Sequence, residues 1–132
     1  QAAGMKASEF LQASTERTVF YQHILGLMRR FDVLVLPSCQ VWPFDAALRW
    51  PSHIQTPKGA VQMDTYHRWM EVVIPISLIG LPALSLPVGF GAQGLPMGMQ
   101  LAGRVGADAQ ILAMGQAYHL ATNWPSRRPP AL

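Results

Sequence analysis

Gly80-Leu81-Pro82-Ala83-Leu84-Ser85-Leu86-Pro87-Val88-Gly89-Phe90, followed by Gly94-Leu95-Pro96-Met97-Gly98-Met99-Gln100-Leu101-Ala102-Gly103-Arg104, decides how the rest of the chain is read. Two short apolar runs, over 83–88 and 97–101, flank Phe90-Gly91-Ala92-Gln93-Gly94, which has the composition of a turn. Apolar runs of this length bounded by glycine and proline predict strands, and the short connection predicts an antiparallel pair. Gly89, Gly91 and Gly94 also spell the G-x-G-x-x-G of dinucleotide-binding loops. That use requires a helix to open at the third glycine, with an acidic residue about 20 positions later. Leu95-Pro96 and a strand pattern follow instead, and Asp108 comes too soon. The expectation is a hairpin turn with positive φ at some glycines.

Upstream, Val33-Leu34-Val35-Leu36 is a continuous apolar run ended by Pro37. Four apolar residues in a row cannot alternate between core and solvent, so the run predicts a strand buried on both faces, as in a parallel or mixed sheet. Before it, residues 6–30 read as an amphipathic helix capped by Ser8, with Phe20, Ile24, Leu27 and Phe31 on one face and Phe10 and Ala13 extending that stripe backward. Arg29 and Arg30 stand where this helix ends, a placement its dipole favours. From Pro37 to Gln62 no period is visible, and prolines punctuate a stretch holding Trp42, Phe44 and Trp50. A second helix is expected from Asp64, carrying Tyr66, Trp69, Met70 and Val73, and kinked or ended at Pro75. A last helix is expected over 108–122 with Ile111, Leu112, Gly115, Tyr118 and Leu120 on or near its packing face. Asn123 and Pro125 end it, and 125–132 reads as an unstructured tail.

The chain has 132 residues, enough for one domain with a core. Half are hydrophobic and 13% are charged, against about 25% in ordinary soluble domains. A small domain has much surface to cover, so this shortage of charge predicts burial against further sequence or against a second copy of the chain. A net charge of +3 raises the question of nucleic acid, but the basic residues are scattered and no aromatic residues interleave them. The single cysteine, Cys39, rules out an internal disulfide and is compatible with a reducing, cytoplasmic setting. No run approaches the roughly 18 apolar residues that span a bilayer, and no signal peptide is visible. The chain opens on Gln1 rather than methionine, which fits a cleavage product or a fragment alike.

Few side chains offer chemistry. Asp64, His67 and Glu71 share helical spacing; they would converge on a metal or form a solvated polar face, and no metal or cofactor is assigned. Cys39 follows a predicted strand, where α/β sheets place functional groups, but no base is identifiable beside it, so it reads as a small apolar core residue. Ser85 sits inside a strand and Ser77 in a helix-to-strand passage, and Lys6 and Lys58 are the only lysines, so a Ser-Lys pair is not read here. Trp42, Phe44, Trp50, Tyr66 and Trp69 either wall an apolar pocket or pack a core. Trp42, Phe44, Tyr66 and Trp69 are the pocket candidates.

Taken in order, Phe31-Asp32-Val33-Leu34-Val35-Leu36-Pro37, Gly80 to Pro87, Gly94 to Leu101 and Asp108-Ala109-Gln110-Ile111-Leu112 resemble the amidase-signature hydrolases from about residue 5 onward. The resemblance implies the α/β class: part of a mixed β-sheet flanked by helices, the C-terminal portion of an amidase-type α/β/α fold, with 1–132 a single partial domain. It implies hydrolysis of a small carboxylic amide, in which a neutral lysine draws a proton through one serine from a nucleophilic serine and backbone N–H groups hold the oxyanion. In the family both serines and the lysine belong to an upstream segment, so no catalytic residue carries over to this chain. The region matching 37–69 shapes the substrate side of the cleft. Members commonly carry asparagine where this chain has Ser77. The competing expectation is a non-catalytic module that self-associates or binds a partner. Under either reading the isolated chain is expected to form a homo-oligomer.

Overall fold

The computed structural model describes residues 4–127. Helix α1 (Ala7–Met28) runs 22 residues without a proline. It begins one residue before the expected cap. The Lys6 backbone N–H donates to Glu9 Oε2 at 2.7 Å, so a carboxylate in the first turn satisfies the helix start and complements its positive end. Arg29 follows its last residue, as the dipole favours.

Three strands make one sheet in the order β1 (Leu34–Pro37), β5 (Pro96–Ala102), β4 (Ala83–Phe90), and both pairings are antiparallel. The β4–β5 hairpin is the one the sequence predicts, with Gly94 at φ 73° in its turn. Pro87 cannot donate to a ladder. It sits on an edge strand where the register shifts between Pro87 and Gly89.

Side-chain alternation divides the sheet's two faces. On one, Ala102, Leu34 and Leu36 meet Ile24 and Met28 of α1 and Ile76 of α2 (Ile74–Ile79), with Leu81 completing the buried cluster. On the other, Leu84 and Leu86 of β4 meet Gly115 of α3 (Asp108–Thr122), and Ile111 packs against Gly103. Each buried aliphatic side chain of this set contributes about 1.5–3 kcal/mol. Helices on both faces of a sheet give the α/β/α layering and the α/β class expected.

Several local expectations change. The apolar run at β1 is not buried on both faces: Val35 is 56% exposed. It shares a face with Leu101 and Leu84, its register partners across the sheet, but lies one strand beyond the β4–β5 pair that α3 covers. The α1 stripe is buried at Ile24 and Met28, while Phe10 and Phe31 are exposed, because α2 and Ala102 meet α1 only near its C-terminal turns. On α3, Ile111, Gly115 and Tyr118 follow one face. Leu112 and Leu120, about 100° and 180° round the helix from Ile111, are exposed.

Pro75 opens a helix rather than ending one. A 3-10 helix spans Arg68–Val73, and α2 then starts with Pro75 in its first turn, where a missing N–H costs nothing. Gly80 closes α2 at φ 67°, the left-handed cap that glycine adopts without strain. The stretch read as aperiodic contains a hairpin, β2 (His53–Thr56) and β3 (Gly59–Gln62). At the other end, Trp124–Ser126 forms a short 3-10 turn inside the expected tail. Its indole packs edge-on to Phe90 at 6.2 Å and beneath the Arg127 guanidinium at 4.4 Å. The remainder of that tail, 128–132, lies outside the described residues. Among the described residues no helix is long and apolar enough to cross a membrane.

Candidate functional site

Past Pro37 the chain leaves the sheet across its end, held by the Ser38 N–H donating to the Gly98 carbonyl at 2.9 Å. Two glutamines fix what comes next. Gln100, 6% exposed, donates from Nε2 to the carbonyls of Pro37 at 3.0 Å and Val72 at 3.2 Å. Gln40 donates to the Arg68 carbonyl at 2.8 Å, and its Oε1 accepts the Val72 N–H at 2.9 Å. A 3-10 helix this short leaves most of its backbone groups unpaired, and the two side-chain amides satisfy them. They thereby lock Arg68–Val73, and Trp69 with it, onto the ends of β1 and β5. Sequence reasoning passes over both. The available signal is Gln100 itself, an amide inside an otherwise apolar strand, which must find partners if buried.

On this frame the aromatic candidates assemble. Phe44 meets Trp69 edge-on at 5.4 Å and 88°, Tyr66 meets Trp69 at 6.2 Å, and Trp50 meets Tyr66 at 6.1 Å. Each such pair contributes about 0.5–1.5 kcal/mol beyond the area it buries. Trp50 is anchored by its Nε1 donating to the Met63 carbonyl at 3.1 Å, and Arg49 lies 5.0 Å over its ring. Trp42 stands apart from this array and rests on the hairpin turn, where a Cβ on Gly91 would lie 2.7 Å from its Cζ3.

Of the four pocket candidates, Trp42, Phe44 and Trp69 line one cavity of about 180 Å³, together with Cys39 and Met97. Tyr66 stands behind Trp69 as support. Trp42 also forms one wall of a second cavity of about 220 Å³ with Gly91, Gln93 and Leu95, and of a third with His53 and Gln55. No charged side chain lines the first two.

The remaining candidates are dispersed. Among the described residues no three His, Cys, Asp or Glu side chains come together as a metal site. His67 packs against Tyr66 at 5.5 Å, and Glu71 pairs with Arg68 at 3.3 Å. Cys39 is a half-buried free thiol. Ser77 lies within α2 and Ser85 within β4. Lys6 precedes α1, and Lys58 occupies the β2–β3 turn.

Residues 1–112 match the family described as Amidase. The chain is 36% identical over 129 residues to a glutamyl-tRNA(Gln) amidotransferase subunit from Synechococcus sp. (strain JA-3-3Ab), covering 98% of this chain and 23% of that one. Its counterpart in Trichormus variabilis, which bears the same name, is 35% identical over 130 residues, with 97% and 24% covered. Among solved structures, a bacterial aryl acylamidase of the amidase-signature enzymes superposes with a TM-score of 0.80 at 25% identity, over 95% of this chain and 25% of that one. A 6-aminohexanoate cyclic dimer hydrolase superposes with a TM-score of 0.76 at 21% identity, over 98% and 27%. The chain thus spans about a quarter of the length of the relatives it matches.

Proposed function

The chain belongs to the amidase family, and from that membership we propose that it is the C-terminal part of an enzyme hydrolysing a carboxylic amide. In this reading the Ser-Ser-Lys residues lie upstream of Gln1, and this chain supplies sheet strands, covering helices and one wall of the substrate cleft. The observation that carries the reading is near-complete coverage of this chain by proteins four times its length, at up to 36% identity. Its own lysines support it: Lys6 and Lys58 sit at a helix start and a hairpin turn, and among the described residues neither side chain is hydrogen-bonded to a serine. A cytoplasmic setting belongs to the same proposal.

The test is to extend the coding region upstream, then treat the long product and this chain with a fluorophosphonate and with simple aryl amides. The long chain is expected to take up label on a serine before Gln1 and to release the amine. This chain is expected to do neither. Amide hydrolysis by residues 1–132 alone would overturn the placement of the catalytic groups.

A second reading, a self-associating module without catalysis, is favoured by one observation. Phe10, Leu11 and Val19 of α1 are each more than 60% exposed. Apolar residues in that number on one helix normally meet a partner.

A further inference from the structure

The three cavities at the end of the sheet share one side chain, and that sharing carries a statement about substrate class. Resting on the amide-hydrolase reading, we infer that Trp42 is the specificity-determining wall of a receptor for a neutral, single-ring aryl amide.

The chemistry of the walls comes first. Trp42, Phe44, Trp69 and Met97 make the smaller cavity apolar, and its polar groups are the uncharged Ser38 and Cys39. The neighbouring cavity offers the Gln93 amide and otherwise apolar surface. Such walls accept a ring and hydrogen-bond a neutral amide. They hold nothing that could neutralise a carboxylate or an ammonium group, and an ion taken out of water without a partner is strongly disfavoured. The size follows. A closed apolar cavity of about 150 Å³ takes up one benzene ring, and the two cavities measure about 180 and 220 Å³. Each fits one ring, and neither fits two.

Trp42 is what keeps them apart. It lines both, and its position is set from below by Gly91, the one residue type that lets the indole lie against the hairpin turn. Its ring is 57% exposed, so it is not a core residue whose removal would unfold the chain. Trp42→Ala removes the partition and joins the two spaces. Gly91→Ala leaves the ring in place but drives it off the turn.

The experiment titrates the full 132-residue chain with 4-fluoroacetanilide, followed by fluorine NMR, against N-(2-naphthyl)acetamide and L-glutamine as competitors. Wild type is expected to bind the single-ring anilide in preference to the naphthyl amide, with L-glutamine failing to displace it. Trp42→Ala is expected to weaken the anilide about fivefold to tenfold, the scale of one lost aromatic contact, and to reverse the preference toward the naphthyl amide. Gly91→Ala should shift the preference the same way, and it carries the test if Trp42→Ala loses its native far-ultraviolet circular dichroism. Displacement by L-glutamine, an unchanged preference in both variants, or no anilide binding to wild type would overturn the inference. The long chain separates this from the reading beneath it. Cleavage of L-glutamine but no anilide overturns the aryl-amide inference and keeps the hydrolase, whereas cleavage of no amide overturns the hydrolase reading itself.

Discussion

Replacing Gln100 by alanine removes the donor that ties β1 and the 3-10 helix together, and the cost can be worked from the contacts. Gln100 is buried and donates to two carbonyls, at 3.0 and 3.2 Å. Alanine leaves both carbonyls without that donor and opens a small void. A buried acceptor stripped of its partner costs about 1–3 kcal/mol. With one end of each carbonyl still near solvent at the sheet edge, we expect a total loss of about 2–4 kcal/mol, against a typical stability of about 5–15 kcal/mol for a domain. Urea unfolding followed by tryptophan fluorescence measures it. At a slope of about 2 kcal/mol per molar, the midpoint should fall by about 1–2 M. Fluorescence should respond before circular dichroism, because Trp69 rides on the segment released at Val72. A companion variant fixes the sign of the interaction. Gln100→Glu keeps the shape but points a carboxylate at carbonyl oxygens, so its folded pKa is raised above the unfolded value of about 4.3. A raised acid pKa means stability fully present below the unfolded value and lost as pH climbs through the folded one. The variant should therefore approach wild type near pH 4 and fall away toward pH 8. A Gln100→Ala midpoint within about 0.3 M of wild type, or a flat pH profile for Gln100→Glu, would refute the reasoning.

Two glycines should part company under the same assay. At Gly103 a Cβ would lie 2.6 and 2.8 Å from Cγ1 and Cδ1 of the buried Ile111, so Gly103→Ala should cost about 1–3 kcal/mol. Gly115→Ala meets only the far end of Leu84, which can rotate, and gains helix propensity of up to about 1 kcal/mol, so its midpoint should stay close to wild type. Arg68→Ala removes an ion pair whose side chains are 46% and 50% exposed, and should change stability by less than about 0.5 kcal/mol. The isolated chain should elute as a dimer or larger by size exclusion with light scattering, and Phe10→Asp with Leu11→Asp should shift it toward monomer. A wild-type monomer would remove the case for self-association.

The parts of the fold legible in the sequence are those whose partners are close along the chain. β4 and β5 are joined by a five-residue turn, and α3 shows its period within its own fifteen residues. What the sequence conceals depends on distant neighbours. Gln100 bonds to Pro37, 63 positions away, and no local pattern announces that bond. The β2–β3 hairpin offers only Ile54 and Val61 as half-buried apolar contacts, too few for alternation to be seen. Pro75 misleads because a helix breaker and a helix opener are the same residue, distinguished only by whether a turn precedes it. In the candidate site, composition alone draws attention to Trp42, Phe44, Tyr66 and Trp69. Which of them share a wall is decided by Gly91 beneath Trp42 and by the amides of Gln40 and Gln100 beneath Trp69.

The distribution of exposed apolar residues bears on the two readings of function. A helix that covers a sheet and faces water on its other side is polar on that side. Neither long helix here conforms. α1 exposes Phe10, Leu11 and Val19, α3 exposes Leu112 and Leu120, and the sheet exposes Val35 at its β1 edge. These residues lie on both outer layers and on an edge, not in one patch. A dimer formed about a single twofold axis covers one self-complementary surface. It would cover α1 or α3, or extend the sheet through β1, but not all three together. A larger enclosing domain covers several faces at once. The spread of the exposed residues therefore favours the hydrolase reading over the self-associating module, independently of any resemblance. It also sets the order of the experiments. If Phe10→Asp with Leu11→Asp abolishes association while apolar dye still binds the chain strongly, the faces on α3 and β1 remain unserved by a dimer, and the enclosing domain is the explanation left standing.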